Sequence, residues 1–312
     1  MFGLWIFAAI AAFFHCVQAQ ASNGTSFGTI GIKTFGPNNS VLRTSIDNGP
    51  INLADQGFIE DFIELLESLN STVDSNGDPP VKVVIVASAL ETYFIDTFDI
   101  RLFLPPGPIN NNVNGTAVLF RFWHLQSLLS TLPQLFIAEI DGVAYAAGNE
   151  LIFNMDLRYA GPGAIFGAPE AVCGVLHVGG IEQLTSVIGP AYANEYMISA
   201  LPIEGPRAAE IGWVNKYYES SEELSKEVDA LASRIALFPY TAITANKKAI
   251  RRLGPTQEQI DAGKTEFFAL VQNEFVQTCV LNWLELAGGN ESYVSDSEFQ
   301  RTLLDKLPNV WT

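Results

Sequence analysis

An α/β fold with a helical C-terminal region is predicted by three features of the sequence. Residues 81–87 (VKVVIVA) and 135–140 (LFIAEI) are β-branched or apolar runs with the length of buried strands. Between them in type, Phe58, Ile59, Phe62, Ile63, Leu65, Leu66 and Leu69 recur at helical spacing with acids interleaved. Beyond Ser221 the periodicity is helical throughout, over 224–237, 242–252 and 256 to about 286.

The elements follow in order. Residues 30–32 and 41–46 flank Phe35-Gly-Pro-Asn-Asn39 and predict a hairpin with a polar turn. A loop over 47–52 leads into the first helix, with Asp55 or Asn52 placed to cap it. Asp74-Ser-Asn-Gly-Asp-Pro-Pro80 breaks the chain before the 81–87 strand. Residues 104–115, rich in Pro, Gly and Asn, predict a long loop, followed by a helix carrying Phe120, Trp123, His124, Ser127 and Leu128 and ending before Pro133. His124 is expected to be a helix-surface or core residue. Later, Gly179 opens a helix that ends near Gly189-Pro190, and 191–199 form another.

The most informative stretch is 136–180. After the 135–140 strand, Asp141-Gly142 breaks the chain, Val143-Ala-Tyr145 extends it, and Ala146-Ala-Gly148 turns into a short helix over 149–155. Small residues before a helix let the backbone approach a ligand, and the first N–H groups of the helix lack intrahelical partners. Such a corner suits an oxyanion. Glu150 falls in the first turn of that helix, and Glu170 follows twenty residues later, after strands over 156–160 and 164–166. A strand out and a strand back can bring both carboxylates to one cavity, as paired acid–base chemistry requires. Taken alone, Glu150 could equally cap its helix and Glu170 could be a solvated turn residue.

The text of this stretch resembles the crotonase (enoyl-CoA hydratase/isomerase) family. That family's signature runs N-G-x-A-x-G-G-G-x-E-L, then C-D-x-R-x-A, F-G-x-P-E and a P-G-G-G run; here Asp141-Gly-Val-Ala-Tyr-Ala-Ala-Gly-Asn-Glu150-Leu, Met155-Asp-Leu-Arg-Tyr-Ala160 and Phe166-Gly-Ala-Pro-Glu170 match it. The resemblance implies a ClpP/crotonase-like spiral of ββα units over 27–220, with a helical, trimer- or hexamer-forming region over 221–312. It implies Glu150 and Glu170 as catalytic acid/base groups and the N–H of Ala147, next to Gly148, as one half of an oxyanion hole. In Tyr93-Phe-Ile-Asp-Thr-Phe-Asp99 the second donor is Phe98, where the family has Ala, and the text is closest to a fungal and bacterial branch. His177-Val-Gly-Gly180 replaces the glycine run, and His177 adds a titrating group there. The implied activity is hydration or isomerisation of an acyl-CoA or other acyl thioester, with coenzyme A entering only as part of the substrate. The other reading is a secreted, degenerate crotonase kept as a non-catalytic binding module.

Composition bounds the rest. The 312 residues are 48% hydrophobic, enough for one large domain with an appendage. Seventeen basic against 34 acidic residues give a net charge of −17, which argues against nucleic acids and anionic membranes. Residues 4–14 are apolar and Val17-Gln-Ala19 offers a cleavage site, so 1–19 are expected to be a signal peptide directing the chain to the secretory pathway. Sequons at Asn23, Asn38, Asn70, Asn114 and Asn290 fit that route. Cys173 and Cys279 sit in apolar surroundings and are expected to be free buried thiols. Three histidines without a Cys or His partner at ligand spacing predict no metal site.

Overall fold

The computed structural model describes residues 26–69, 78–104 and 113–311. The expected signal peptide over 1–19, Asn23 and Asn70 therefore lie outside the described residues, as does the Asn114 side chain. Strands β1 (Ser26–Phe27), β2 (Ile30–Phe35) and β3 (Val41–Ile46) form the antiparallel start, with the 30–46 hairpin in its expected place. Helix α1 (Gln56–Ser68) is capped by Asp55, whose side chain accepts from the Phe58 N–H at 2.9 Å. Asn52 instead anchors the preceding loop, donating to Ser88 Oγ and to the Phe94 carbonyl.

The next three turns of chain repeat one pattern. Strands β4 (Val83–Val86) and β5 (Tyr93–Ile95) precede α2 (Val113–Thr131). Strands β6 (Leu135–Ile140) and β7 (Val143–Tyr145) precede α3 (Ala147–Asn154). Strands β8 (Leu157–Ala160) and β9 (Ile165–Gly167) precede α4 (Ile181–Ser199). The first strand of each pair joins a seven-stranded sheet, order β1-β2-β3-β4-β6-β8-β11, and the second joins a four-stranded sheet, order β10-β9-β7-β5. Each turn thus advances both sheets by one parallel strand, which makes the molecule a spiral of ββα units. Strand β10 (Ile203–Glu204), α5 (Gly205–Ile211) and β11 (Lys216–Tyr217) close the sheets. Every residue of β4 is buried because α1 and α2 cover one face of the large sheet and α6 (Ser221–Ala236) covers the other.

Helices α7 (Tyr240–Arg251), α8 (Gln257–Val271) and α9 (Glu274–Leu286) follow, then α10 (Asn290–Ser295), α11 (Ser297–Arg301) and α12 (Leu303–Lys306). Buried Lys247 of α7 docks this region by pairing with Asp156 at 2.8 Å and donating to the Gln134 carbonyl. None of the described helices is long and apolar enough to cross a membrane.

Several boundaries differ from the sequence reading. The helix expected over 256–286 is two, because the Asn273 side chain accepts from the Phe275 N–H and starts a new helix. Helix α2 begins at Val113, inside the expected 104–115 loop. The break expected at Gly189-Pro190 is present: Gly189 leaves helical geometry (φ 79°, ψ 161°) and divides α4 into two helical segments. The cysteines are also corrected. Cys173 and Cys279, 106 residues apart, form a disulfide with a Cα–Cα distance of 5.3 Å. Apolar surroundings could not distinguish a buried thiol from a buried bridge; the packing of α9 against the 3-10 turn Glu170–Cys173 does.

Candidate active site

The site forms where the ends of β5, β7 and β9 meet. Gly148 donates its N–H to the Asp96 carbonyl at 3.0 Å, and a Cβ at Gly148 would lie 1.9 Å from the Ile95 carbonyl oxygen. No other residue fits there, and this contact clamps the start of α3 onto the end of β5. Ala146, just before the helix, is held at φ 41°, ψ −109°, a conformation that costs a residue with a Cβ about 1–3 kcal/mol. Its N–H donates to the Gly167 carbonyl and that of Gly148 to Asp96. The N–H of Ala147 between them has no partner among the described residues.

Phe98 lies across from this corner. The chain on either side of it is bonded to Ala54, through the Thr97 carbonyl and the Asp99 N–H, while the Phe98 N–H has no partner among the described residues. The residues that carry both unpartnered donors line one apolar cavity of about 80 Å³, which also takes in Glu150 and Glu170. The Phe98 ring packs on Phe103 and Phe122, so a structural and a site-lining role coexist in one residue. Thr97, where the family has Gly, meets the Tyr293 hydroxyl at 3.1 Å, so α10 holds this turn. Val276, Val280 and Trp283 of α9 close the cavity, and the Cys173–Cys279 bridge ties that helix three residues from Glu170.

The polar groups are few and specifically paired. Glu150 is buried; its Oε2 accepts from Gln126 Nε2 at 2.9 Å. Burial, followed by the nearby Glu170 charge, pushes its carboxyl well above the usual range, with the Gln126 bond opposing. Glu170 Oε1 lies 2.8 Å from His177 Nδ1, and Glu150 Oε1 lies 3.5 Å from the same nitrogen. Glu170 Oε2 has no partner among the described residues. Gly180 makes room for this arrangement: a Cβ there would be 2.7 Å from His177 Nε2 and 3.1 Å from Glu150 Cγ.

Glu150, Glu170 and His177 each bring one potential ligand atom within 4.8 Å of the others, the spacing of a metal set. The surroundings of the histidine do not fit one. A ligating histidine donates its other ring N–H to an acceptor. Here Asn149 Oδ1 accepts from the Trp213 indole N–H at 3.0 Å, which turns the Asn149 amide group onto His177 Nε2 at 3.1 Å. Nε2 therefore carries the lone pair, and the ring proton sits on Nδ1, between the carboxylates. The Trp213 indole excludes the opposite Asn149 orientation, because it can only donate.

Residues 36–287 match the family model described as enoyl-CoA hydratase/isomerase. The chain belongs to that family. A crotonyl-CoA hydratase of Syntrophomonas wolfei is 30% identical over 188 residues, covering 59% of this chain and 70% of that one. A peroxisomal Delta(3,5)-Delta(2,4)-dienoyl-CoA isomerase of Arabidopsis thaliana is 27% identical over 199 residues, 61% of this chain and 70% of that one. A solved Streptomyces avermitilis structure, assigned as an enoyl-CoA hydratase, superposes with a TM-score of 0.77 at 27% identity, over 91% of this chain and 97% of that one.

Among the residues singled out in sequence, Glu150, Glu170, Phe98, Ala147, Gly148 and His177 converge on this site. His124 does not. It is half-exposed on α2 and meets Glu67 at 3.0 Å. Asn38 and Asn290 are exposed. Gln126, Asn149, Trp213 and Asp96 were not foreseen. Gln126 had one usable signal, a polar residue between Leu125 and Leu129 on the apolar face of its helix; Trp213 had none.

Proposed function

We propose that this protein moves protons on an enoyl thioester through an enolate, with Glu150 and Glu170 as the acid/base pair and the N–H groups of Phe98 and Ala147 as the oxyanion hole. The observation that carries this is that Phe98 and Ala147, whose backbone N–H groups have no partner among the described residues, line one apolar cavity together with Glu150 and Glu170. A thioester carbonyl placed on the two N–H groups gains most as its oxygen becomes an enolate, and each such donor is typically worth about 3 kcal/mol of barrier. Proton removal or delivery at the adjacent carbons falls to the glutamates. Hydration and positional isomerisation share this intermediate, and the matched hydratases and isomerase span both.

The proposed setting is the secretory pathway, with residues 1–19 removed and exposed sequons glycosylated; the disulfide supports an oxidising compartment. Assembly as a trimer or a dimer of trimers through 221–312 is supported by exposed Leu237, Ile250 and Leu253 on this region. Coenzyme A is not expected in such a compartment, which favours, as the second reading, a binding module without turnover.

Incubating the purified protein with crotonyl-CoA, and separately with 3-butenoyl-CoA, distinguishes the two. Loss of conjugated enoyl absorbance from the first, or its gain from the second, is the expected result. A protein that binds either thioester and changes neither is the non-catalytic module.

A further inference from the structure

Hydration by two carboxylates needs a water molecule within reach of both, so that one activates it while the other supplies the α-proton. The place such a water would take is filled. His177 Nδ1 lies 2.8 Å from Glu170 Oε1 and 3.5 Å from Glu150 Oε1, so the ring stands between the two carboxylates, although Nδ1 makes no hydrogen bond of adequate geometry to either. The imidazole is buried and cannot swing aside without losing its contact with Asn149, itself fixed by Trp213. Gly180 behind it leaves the room the ring uses.

Resting on the enolate reading above, we infer that His177 is a specificity-determining positioning residue, which excludes the nucleophilic water and commits the site to isomerisation rather than hydration. His177 Nδ1 lies 2.8 Å from Glu170 Oε1, so the ring stands against that carboxylate, and Glu170 borders the cavity as the single base. In the forward step the Glu170 carboxylate takes a proton from the α-carbon of a 3-enoyl thioester. The C–H pair passes into a dienolate whose oxygen rests on the Phe98 and Ala147 N–H groups. The same carboxyl returns the proton to the γ-carbon, a C–H bond forms there, and the carbonyl is restored with the double bond moved to the 2,3 position. No water is consumed, and the enzyme ends in its starting protonation state. The Asn149 amide cannot carry a proton away from Nε2, so His177 orients and excludes without relaying.

The test is the partition between two reactions of the intact protein. The wild type should convert 3-butenoyl-CoA to crotonyl-CoA at least about tenfold faster than it hydrates crotonyl-CoA to 3-hydroxybutyryl-CoA, followed by chromatography of the products. His177→Gly, which vacates the position between the glutamates, should raise hydration about tenfold or more and lower isomerisation, shifting the ratio toward hydration. His177→Asn, which can keep an N–H donor toward Glu170, should retain more isomerisation than the glycine variant. A wild type that hydrates as fast as it isomerises overturns the inference while leaving the enolate reading in place, and needs no variant to fold. A folded His177→Gly protein with an unchanged ratio overturns it equally. Turnover of neither thioester by the wild type overturns the enolate reading and this inference with it.

Discussion

Glu170→Gln lowers turnover of an enoyl thioester by roughly 100- to 10,000-fold, the range in which a positioned general base contributes. The substitution keeps size and hydrogen-bonding capacity but removes the Glu170 carboxylate from the cavity lining. Glu150→Gln costs less. Burial, followed by the nearby Glu170 charge, holds the Glu150 carboxyl well above its usual range, which favours its neutral form, and an amide resembles that form in charge. Steady-state kinetics of both variants on one thioester, with circular dichroism to verify folding, checks the asymmetry. Equal and small losses would mean that neither group acts as the base.

How much of this was open to a reader of the sequence follows from what fixed each feature. The ββα order could be read because buried strands and an amphipathic helix carry local periodicities, and the glutamates could be read because the family text fixes their spacing. Phe98 and Ala147 were accessible for the same reason, since the place of a backbone N–H does not depend on its side chain. The remainder depended on contacts between distant segments. That His177 lies between two carboxylates, and which of its nitrogens carries the proton, are set by Asn149 and by Trp213, 64 residues away from it. The disulfide was misread because burial of Cys173 and Cys279 says nothing about whether they face each other. The break at Asn273 was missed because apolar periodicity resumes on both sides of the cap.

Stability should fall as pH rises through the neutral range, and Asp96→Asn should remove much of that slope. Asp96 is fully buried beneath the oxyanion corner, and neither carboxylate oxygen has a partner of adequate hydrogen-bond geometry among the described residues. Burial raises its pKa from the ordinary 3.8 to about 8, with the Thr97 backbone amide opposing only in part. The folded protein therefore keeps a proton that the unfolded chain releases, and stability is lost with rising pH between these two values. One such group contributes about 1.4 kcal/mol per pH unit, or roughly 3 kcal/mol between about pH 5 and about pH 7.5. Glu150 acts in the same direction and persists in the variant. Denaturant unfolding at the two pH values should show the wild type losing about 3 kcal/mol more than Asp96→Asn. Parallel losses in the two proteins would place an ionised, solvated or paired carboxylate at this position instead.

Enolate formation at the cavity is the claim on which the rest depends, and hydrogen exchange at the α-carbon tests it without reference to the final product. Butyryl-CoA, a saturated thioester that can neither be hydrated nor isomerised, is incubated with the protein in deuterium oxide, and the C2 protons are followed by NMR. Deuterium should enter at C2 with wild-type protein and be lost with Glu170→Gln, because removal of the α-proton and its return from solvent need only the base and the oxyanion hole. Retention of both C2 protons by a thioester shown to be bound would contradict the account.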